Sequence, residues 1–218
     1  MGAISRQHPN LWHRGVPEHH RAARADRRQG HRLRANRSPY GLAGPGLSPL
    51  HIDTIASRIQ GYDVEPPRAD SQTRQAAVAT ILRPCENDTE ALFILRATKE
   101  GDPWSGHMAF PGGHRDPGDE SLRATAERET LEEIGLALAT HARYLGPIDP
   151  VRANPRGRNI DMVVQPYVYI LEQEPPVLTP NYEVADILWG SLREMYTRES
   201  LTQGEFEVGG QVVSYPGY

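Results

Sequence analysis

The sequence contains no long apolar run and only one cysteine. None of its hydrophobic stretches approaches the roughly 20 residues that a helix needs to cross a bilayer, so we expect a soluble protein with no membrane partner. Cys85 has no second cysteine with which to form an intramolecular disulfide, which is typical of a reducing compartment, and we predict a cytoplasmic location. A length of 218 residues suits one ordinary domain with an extension.

The charge of the chain is unevenly divided. The formal net charge is −4, and residues 1–49 hold nine arginines against Glu18 and Asp26, a net of +7, which leaves −11 on residues 50–218. Nucleic-acid-binding surfaces need clustered positive charge, so the acidic body disfavours nucleic acid as a partner. An acidic body that binds phosphates is expected to use metal ions as its counter-charge.

Residues 1–49 are rich in Arg, His, Pro and Gly and poor in large apolar residues. Such a composition cannot bury enough apolar surface to fold. We therefore predict a disordered basic N-terminal extension at 1–49 and a folded domain at 50–218. A targeting segment and an interaction arm remain alternatives for the extension.

Short runs of β-branched and aliphatic residues separated by turn residues predict strands. The runs at 76–84 and 91–97 are joined by a polar segment and predict a hairpin, and a short strand is predicted at 107–110. A longer strand is predicted at 160–171, in which Pro166 indicates an edge position or a bulge.

One strong helix is predicted at about 121–134, with Asp119 or Ser121 as its N-cap and Gly135 as its stop. Weaker patterns predict a helix from about 50, a strand or turn at 183–189, a short helix at 191–196, and a hairpin at 205–215. Together these elements predict an α/β sandwich, a mixed β-sheet with helices packed on both faces.

The central helix carries Glu129, Glu132 and Glu133, which fall on one helix face at i, i+3 and i+4. Like charges at that spacing repel one another, so a purely structural helix gains nothing from them. A hard divalent cation reverses the sign, because Mg²⁺ and Mn²⁺ are bound by carboxylates and complete their shells with water and phosphate oxygens. The pattern therefore indicates metal-assisted phosphate chemistry.

The stretch FPGGHRDPGDESLRATAERETLEEIGL (110–136) resembles the signature of the Nudix hydrolase family. Glu120 stands eight positions before Arg128, as that signature requires, and RETLEEIGL matches its second half with Thr130 in an aliphatic position. Six residues separate Gly113 from Glu120 where the signature has five, an expansion that resembles the branch containing coenzyme A pyrophosphatases. The resemblance implies a Nudix-type α/β/α sandwich and a metal-dependent pyrophosphohydrolase.

The resemblance also implies a ligand set. Glu129 and Glu133 would be the principal ligands of Mg²⁺ or Mn²⁺, with Glu132 beside them and the backbone carbonyl of Gly113 completing the shell. The general base would be one of these glutamates or an acidic residue on a later loop, for which Glu183 is the candidate by position.

Other members of the motif are expected to be structural. They are Glu120 and Arg128, and Arg128 would bridge carboxylates and hold them in register, as a planar guanidinium does well. The apolar residues of the motif are expected in the core: Leu122, Leu131, Ile134 and Leu136.

Upstream of the motif, GHMAFPGG (106–113) resembles part of a coenzyme A-directed motif, and Arg96 resembles its arginine step. The arginine expected four positions before Gly106 is replaced by Asp102. A cation for a 3′-phosphate would then come from the loop arginines, of which Arg152, Arg156 and Arg158 are available. Trp104 would either stack on a base or pack in the protein.

These observations predict an enzyme that cleaves the pyrophosphate of a nucleoside diphosphate linked to another moiety. Coenzyme A or acyl-coenzyme A is the preferred substrate, giving 3′,5′-ADP and a phosphopantetheine. ADP-ribose, dinucleotides and oxidised nucleotides are alternatives within the same chemistry. A non-catalytic nucleotide sensor and a nucleic-acid-associated protein tethered by its basic arm are alternatives from other classes, and a homodimer is left open.

Overall fold

The computed structural model describes residues 48–65, 70, 72–86, 88–100, 105–153, 161–173, 175–208 and 211–217, and of residues 205–216 only the backbone apart from Ser214. All of them belong to Leu42–Tyr218, the second of two units into which the chain divides. The extension predicted at 1–49 lies outside the described residues except for its last two.

The described residues form four helices and ten strands. The helices are α1 (Ile52–Gln60), α2 (Leu122–Ile134), α3 (Leu138–His141) and α4 (Leu192–Thr197). The strands are β1 (Arg74–Cys85), β2 (Asp88–Arg96), β3 (Met108–Ala109), β4 (Gly112–His114), β5 (Ala142–Pro147), β6 (Val151–Ala153), β7 (Met162–Leu171), β8 (Val184–Ser191), β9 (Thr202–Val208) and β10 (Gln211–Gly217).

Within the described residues, eight strands form one mixed sheet whose path is β3-β2-β1-β7-β5. The predicted hairpin is confirmed, since β1 and β2 pair antiparallel, and the parallel pairing of β1 with β7 makes the sheet mixed. β4 adds to β1, β6 adds to β7, and β8 adds to β2. The predicted C-terminal hairpin is present as the antiparallel pair of β9 and β10, in a separate sheet.

The two faces of the sheet bury separate apolar clusters. Along β7, Tyr169 and Leu171 join the cluster that α2 covers with Ala126 and Ile134, while Val168 and Ile170 join the cluster that α1 covers with Ala56. This alternation follows from the two-residue period of a strand. The predicted α/β sandwich with helices on both faces is therefore confirmed.

The helix α2 begins and ends as predicted. Ser121 is its N-cap and accepts a hydrogen bond from the N–H of Ala124, and Gly135 ends it in the left-handed conformation at φ 72°. Thr130 fits the aliphatic position of the motif because its hydroxyl is buried and donates to the carbonyl of Ala126 at 2.7 Å.

The expectation that Leu131 is a core residue is wrong. Leu131 is exposed, whereas Ile134 and Leu136 are fully buried and Leu122 is partly buried against the same cluster. The helix α2 is rotated so that the side carrying Ala126 and Ile134 packs on the sheet. Leu131 lies on the side that faces solvent, next to the exposed Glu132.

Hydrogen bonds fix the rotation of α2 on the sheet. The buried Tyr169 donates its hydroxyl to Glu127 at 3.0 Å, and Arg123 pairs with the same carboxylate at 2.8 Å. The guanidinium of Arg123 also lies 4.2 Å from the ring centroid of Tyr144. These contacts, together with the apolar packing, hold the acidic residues of α2 in one orientation.

The prediction that Pro166 marks an edge strand is wrong, and the irregularity in the pairing of β7 lies in its partner, where the register of β5 shifts between Tyr144 and Gly146. β7 is an interior strand, with β1 on one side and β5 and β6 on the other, and Pro166 lies in register opposite Val78. Its missing N–H faces the gap between the end of β5 and the start of β6. There, the side-chain amide of Gln165 donates to the carbonyl of Ile148 at 2.7 Å, so a neighbouring side chain supplies a donor that proline lacks.

In the part of the chain that the structure describes, none of the helices combines the length and the apolar character needed for a membrane span.

Candidate active site

The glycine pair of the motif brings the backbone of β4 close to both β1 and α2. Gly112 has a φ of +154°, and a Cβ at this position would collide with the backbone of Ala77 and Val78. A Cβ on Gly113 would instead collide with the carboxylate of Glu129. The missing side chain of Gly112 therefore lets β4 pack on β1, and that of Gly113 lets the acidic face of α2 close on β4.

Glu133 is the most deeply buried carboxylate of the motif, with 2% of the residue exposed. Its Oε2 accepts a hydrogen bond from the N–H of Gly112 at 2.8 Å. The pKa of Glu133 is raised to about 7, mainly by burial and also by the negative charges of Glu129 and Glu183. The N–H of Gly112 and the charge of Arg96 act in the opposite direction. The structure thus brings four predicted site residues within electrostatic reach of one another.

Glu129 and Glu132 lie in different environments. The side chain of Glu129 is 17% exposed, and burial raises its pKa while the adjacent Arg128 lowers it. The side chain of Glu132 is 54% exposed and pairs with Arg128 at 3.1 Å. Glu129 and Glu133 therefore face the β4 backbone together, and Glu132 lies on the solvent side.

Arg128 is held mainly by a residue that the sequence reasoning assigned only as a candidate helix cap. Its Nε and Nη2 bond to the two carboxylate oxygens of Asp119 at 3.0 and 3.1 Å, and Nη2 also donates to the carbonyl of His114 at 3.2 Å. The Asp119 side chain is only 7% exposed. The hydrogen bond from Arg128 and the N–H of Asp116 hold the pKa of Asp119 well below its usual range.

Glu120, the other motif residue expected to be structural, does not pair with Arg128 in the described part of the chain. Among the described residues, the carboxylates that pair with Arg128 are Asp116, Asp119, Glu129 and Glu132, and Glu120 is exposed. One signal pointed to Asp119, because five residues separate it from Gly113, the spacing of the unexpanded signature. The extra residue thus falls between the supporting carboxylate and Arg128.

The segment that carries Glu183 lies between α2 and β2. The N–H of Asn181 donates to the carbonyl of Glu133 at 2.9 Å, and the N–H of Ala97 donates to the carbonyl of Glu183 at 2.8 Å. The side chain of Asn181 in turn accepts from the N–H of Glu183 at 2.8 Å. These bonds hold the segment in place, and the half-buried Glu183 lies within electrostatic reach of Glu133.

The segment also closes one side of a cavity of about 290 Å³. Arg96, the predicted substrate-binding residue at the end of β2, lies in the wall of this cavity and is an electrostatic neighbour of Glu133. The full lining consists of Arg96, Ala97, Thr98, Lys99, Tyr182 and Glu183.

The other predicted substrate-binding residues do not lie in this wall. Arg152 is on β6 and pairs with Asp161 at 2.7 Å. Trp104, Arg156 and Arg158 lie outside the described residues.

The donor chemistry at β4 and α2 fits a hard cation, because Glu129 and Glu133 supply carboxylates and Gly113 supplies a backbone carbonyl, all of them oxygen donors. In the arrangement described, Glu129 is paired with Arg128 at 3.0 Å and Glu133 with Gly112. Across the described part of the chain, no group of three or more His, Cys, Asp or Glu side chains is arranged to hold a metal ion.

Comparison with known proteins gives relatives with partial coverage. An uncharacterised protein of Schizosaccharomyces pombe is 37% identical over 51% of this chain and 35% of its own length. The mitochondrial coenzyme A diphosphatase of Homo sapiens is 30% identical over 49% of this chain and 54% of its own length. The uncharacterised Nudix hydrolase NudL of Cronobacter sakazakii is 30% identical over 73% of this chain and 76% of its own length. The chain thus spans about a third and about half of the first two relatives.

The model of the NUDIX domain matches residues 73–208, which is more than half of the chain and includes the glycine pair, α2 and Glu183. Together with the NudL relative, this match shows that the chain belongs to the Nudix family.

Proposed function

We propose that this protein is a Mg²⁺- or Mn²⁺-dependent pyrophosphohydrolase that cleaves the phosphoanhydride of a nucleoside diphosphate linked to another moiety. The observation that carries the proposal is that the buried Glu133 and the half-buried Glu129 lie together against the β4 backbone, with the pKa of both carboxylates raised. Withdrawing two neighbouring carboxylates from water is unfavourable unless enough positive charge accompanies them, and Arg128, which pairs with Glu129, is shared with Asp116, Asp119 and Glu132. A divalent cation would offset that cost and attract a diphosphate to an acidic protein.

The residues that would hold the ion are Glu129, Glu133 and the backbone carbonyl of Gly113, with Glu132 at the solvent side. When bound, such an ion polarises a phosphoryl oxygen and makes a coordinated water more acidic.

The remaining residues of the site position these ligands or handle protons. Asp119 anchors Arg128, which keeps Glu129 beside the glycine pair, and the N–H of Gly112 keeps Glu133 in place. Glu183 is the proposed general base, since it is half-buried and lies within electrostatic reach of Glu133. A glutamate of the motif is the alternative base.

Coenzyme A or acyl-coenzyme A is the proposed substrate, giving 3′,5′-ADP and (acyl-)phosphopantetheine. Support comes from the GHMAFPGG segment at 106–113 and from a relative that is named a coenzyme A diphosphatase. ADP-ribose, dinucleotides and oxidised nucleotides are the alternatives within the same chemistry.

The test is a substrate panel. The purified chain is incubated with coenzyme A, NADH, ADP-ribose, a diadenosine polyphosphate and an oxidised nucleotide, with Mg²⁺ or Mn²⁺ or with excess chelator, and the products are resolved by chromatography. We expect coenzyme A to be cleaved fastest and all turnover to stop with chelator.

Two outcomes would contradict the proposal. Hydrolysis that persists in excess chelator would exclude the metal-dependent mechanism. A folded protein that binds nucleotide and cleaves none of the panel would favour the alternative of a nucleotide sensor.

The cytoplasmic location and a homodimer stay predictions, to be tested by fractionation and by light scattering.

A further inference from the structure

The cavity beside Glu133 combines features that a nucleotide-binding pocket needs. Its wall presents the cations Arg96 and Lys99, the hydroxyl of Thr98 and the ring of Tyr182. Lys99 is the only lysine in the 218-residue sequence, and it stands in this wall. In a body with a net charge of −11, two cations on one cavity wall offer a local site for an anion.

Tyr182 is exposed but is held on an ordered backbone. The residue is 85% exposed, the second largest value among the large hydrophobic residues of the described chain. The residue before it donates its backbone N–H to the carbonyl of Glu133, and the residue after it accepts from the N–H of Ala97. The ring is therefore presented to solvent from a fixed position, which reduces the entropy lost when a flat ligand stacks on it.

The size of the cavity indicates part of a ligand. Sites for whole drug-sized molecules range from about 300 to 1,000 Å³, and this cavity of about 290 Å³ falls at the lower limit. A base with its ribose and nearest phosphate would fill it and leave the rest of the substrate outside.

We propose that this cavity binds the nucleoside end of the substrate, with Tyr182 stacking on the base and Lys99 and Arg96 contacting the phosphate nearest the ribose. Arg96 and Glu183 line the cavity and are both electrostatic neighbours of Glu133, so the bond to be cleaved would lie on the side of these two residues. This inference rests on the proposed function, because it orients the substrate of that site.

Steady-state kinetics of tyrosine variants test the stacking. Tyr182→Ala should raise KM for coenzyme A about tenfold or more while kcat stays within about twofold of wild type, since stacking on an aromatic side chain is typically lost at this scale. Tyr182→Phe keeps the ring and should keep KM within about twofold. Tyr196→Ala, which removes another exposed tyrosine outside the cavity wall, is the matched control and should behave as wild type.

Amine labelling tests the phosphate contact without any turnover. An amine-selective reagent has two targets in this chain, Lys99 and the N-terminal amine, which serves as an internal reference. ADP with Mg²⁺ should slow the labelling of Lys99 several-fold, as measured by peptide mass spectrometry, and leave the N-terminus unchanged. Equal labelling with and without ADP would overturn the assignment of Lys99.

The two proposals fail separately. Normal turnover with an unchanged KM in Tyr182→Ala would overturn the nucleoside subsite and leave the hydrolase proposal standing. Absence of turnover, together with ADP binding by calorimetry that is lost in Tyr182→Ala and kept in Tyr182→Phe, would overturn the hydrolase proposal and support the subsite.

Discussion

The carboxylates of Asp119 and Glu133 are both largely withdrawn from solvent, but their surroundings shift their pKa values in opposite directions. Asp119, in the turn before the helix, receives two bonds from Arg128, and its pKa is lowered. Glu133, in the last turn of the helix, receives one backbone N–H, faces other carboxylates, and has its pKa raised to about 7.

The two carboxylates differ in how far the chain itself neutralises their charge. The chain itself supplies the cation for Asp119, so that pair is complete in the free protein. The chain supplies less positive charge to Glu133 than its burial and its neighbours require, and a cation from solution would correct the imbalance. We therefore expect substitutions at the two positions to act on different properties.

Glu133→Gln should give the largest effect. The substitution keeps the shape of the side chain and its acceptor for Gly112 while removing the charge, so the fold should be retained and kcat for coenzyme A should fall about a thousandfold. Steady-state kinetics and thermal unfolding with and without Mg²⁺ measure both properties. Turnover close to wild type would remove Glu133 from the site and end the contrast with Asp119.

In metal-free protein, the free energy of unfolding should rise with pH in the acid range, the acid arm, and fall with pH above 4.5, the upper arm. Because the folded-state pKa of Glu133 is about 7 against an ordinary 4.5, the folded protein binds more protons between these values. The free energy of unfolding should therefore fall by about 3 kcal/mol as pH rises from 4.5 to 7. Asp119 acts in the other direction, since its lowered pKa adds stability that is lost as pH falls below its ordinary 3.8.

Urea denaturation in the presence of chelator measures both arms. Glu133→Gln should flatten the arm above pH 4.5, and Asp119→Asn should flatten the acid arm. If the free energy of unfolding of Glu133→Gln still fell between pH 4.5 and 7, ionisation of Glu133 would not be what destabilises the folded protein. Mg²⁺ should restore stability mainly at neutral pH, where the carboxylate is available to bind it.

Gly113→Ala tests how closely Glu129 must approach β4. The added Cβ meets the far end of a flexible side chain, so the fold should lose little stability while Glu129 is turned away and kcat falls about a hundredfold. Gly118→Ala is the matched control, because a Cβ there meets nothing within 4 Å. Equal activity of the two variants would mean that Glu129 functions without contact to the turn.

Asp119→Asn should give the smallest loss of activity, about tenfold, because Asp119 acts through Arg128. Stability should fall as well, since Arg128 loses its best charged partner. Glu120→Gln is the control and should leave both properties unchanged, because Glu120 is exposed and outside the Arg128 cluster. The opposite ranking of the two variants would show that Glu120, and not Asp119, supports Arg128.

Much of this structure was predictable from local patterns. The N-cap at Ser121, the left-handed stop at Gly135 and the hairpin of β1 and β2 each depend on residues close together in the sequence. The motif also identified the family and the helix that carries its glutamates.

Predictions that depended on a distant neighbour were less successful. Leu131 was misplaced because helical spacing does not say which side of α2 meets the sheet. Pro166 was misplaced because its N–H position faces a gap between β5 and β6 that no local pattern reveals. Lys99 and Tyr182 were not singled out, because they approach each other only when β8 pairs with β2.

The sequence by itself determined that three glutamates share a face of one helix and that a glycine pair precedes them, since both follow from spacing along the chain. Only the tertiary structure decided that Glu133 is buried and Glu129 half-buried, that Glu132 is exposed and that Asp119 holds Arg128. The physical reason is that the pKa and the pairing of a carboxylate depend on the burial and the charges that distant segments bring to it, and these exist only after the sheet and α2 have packed.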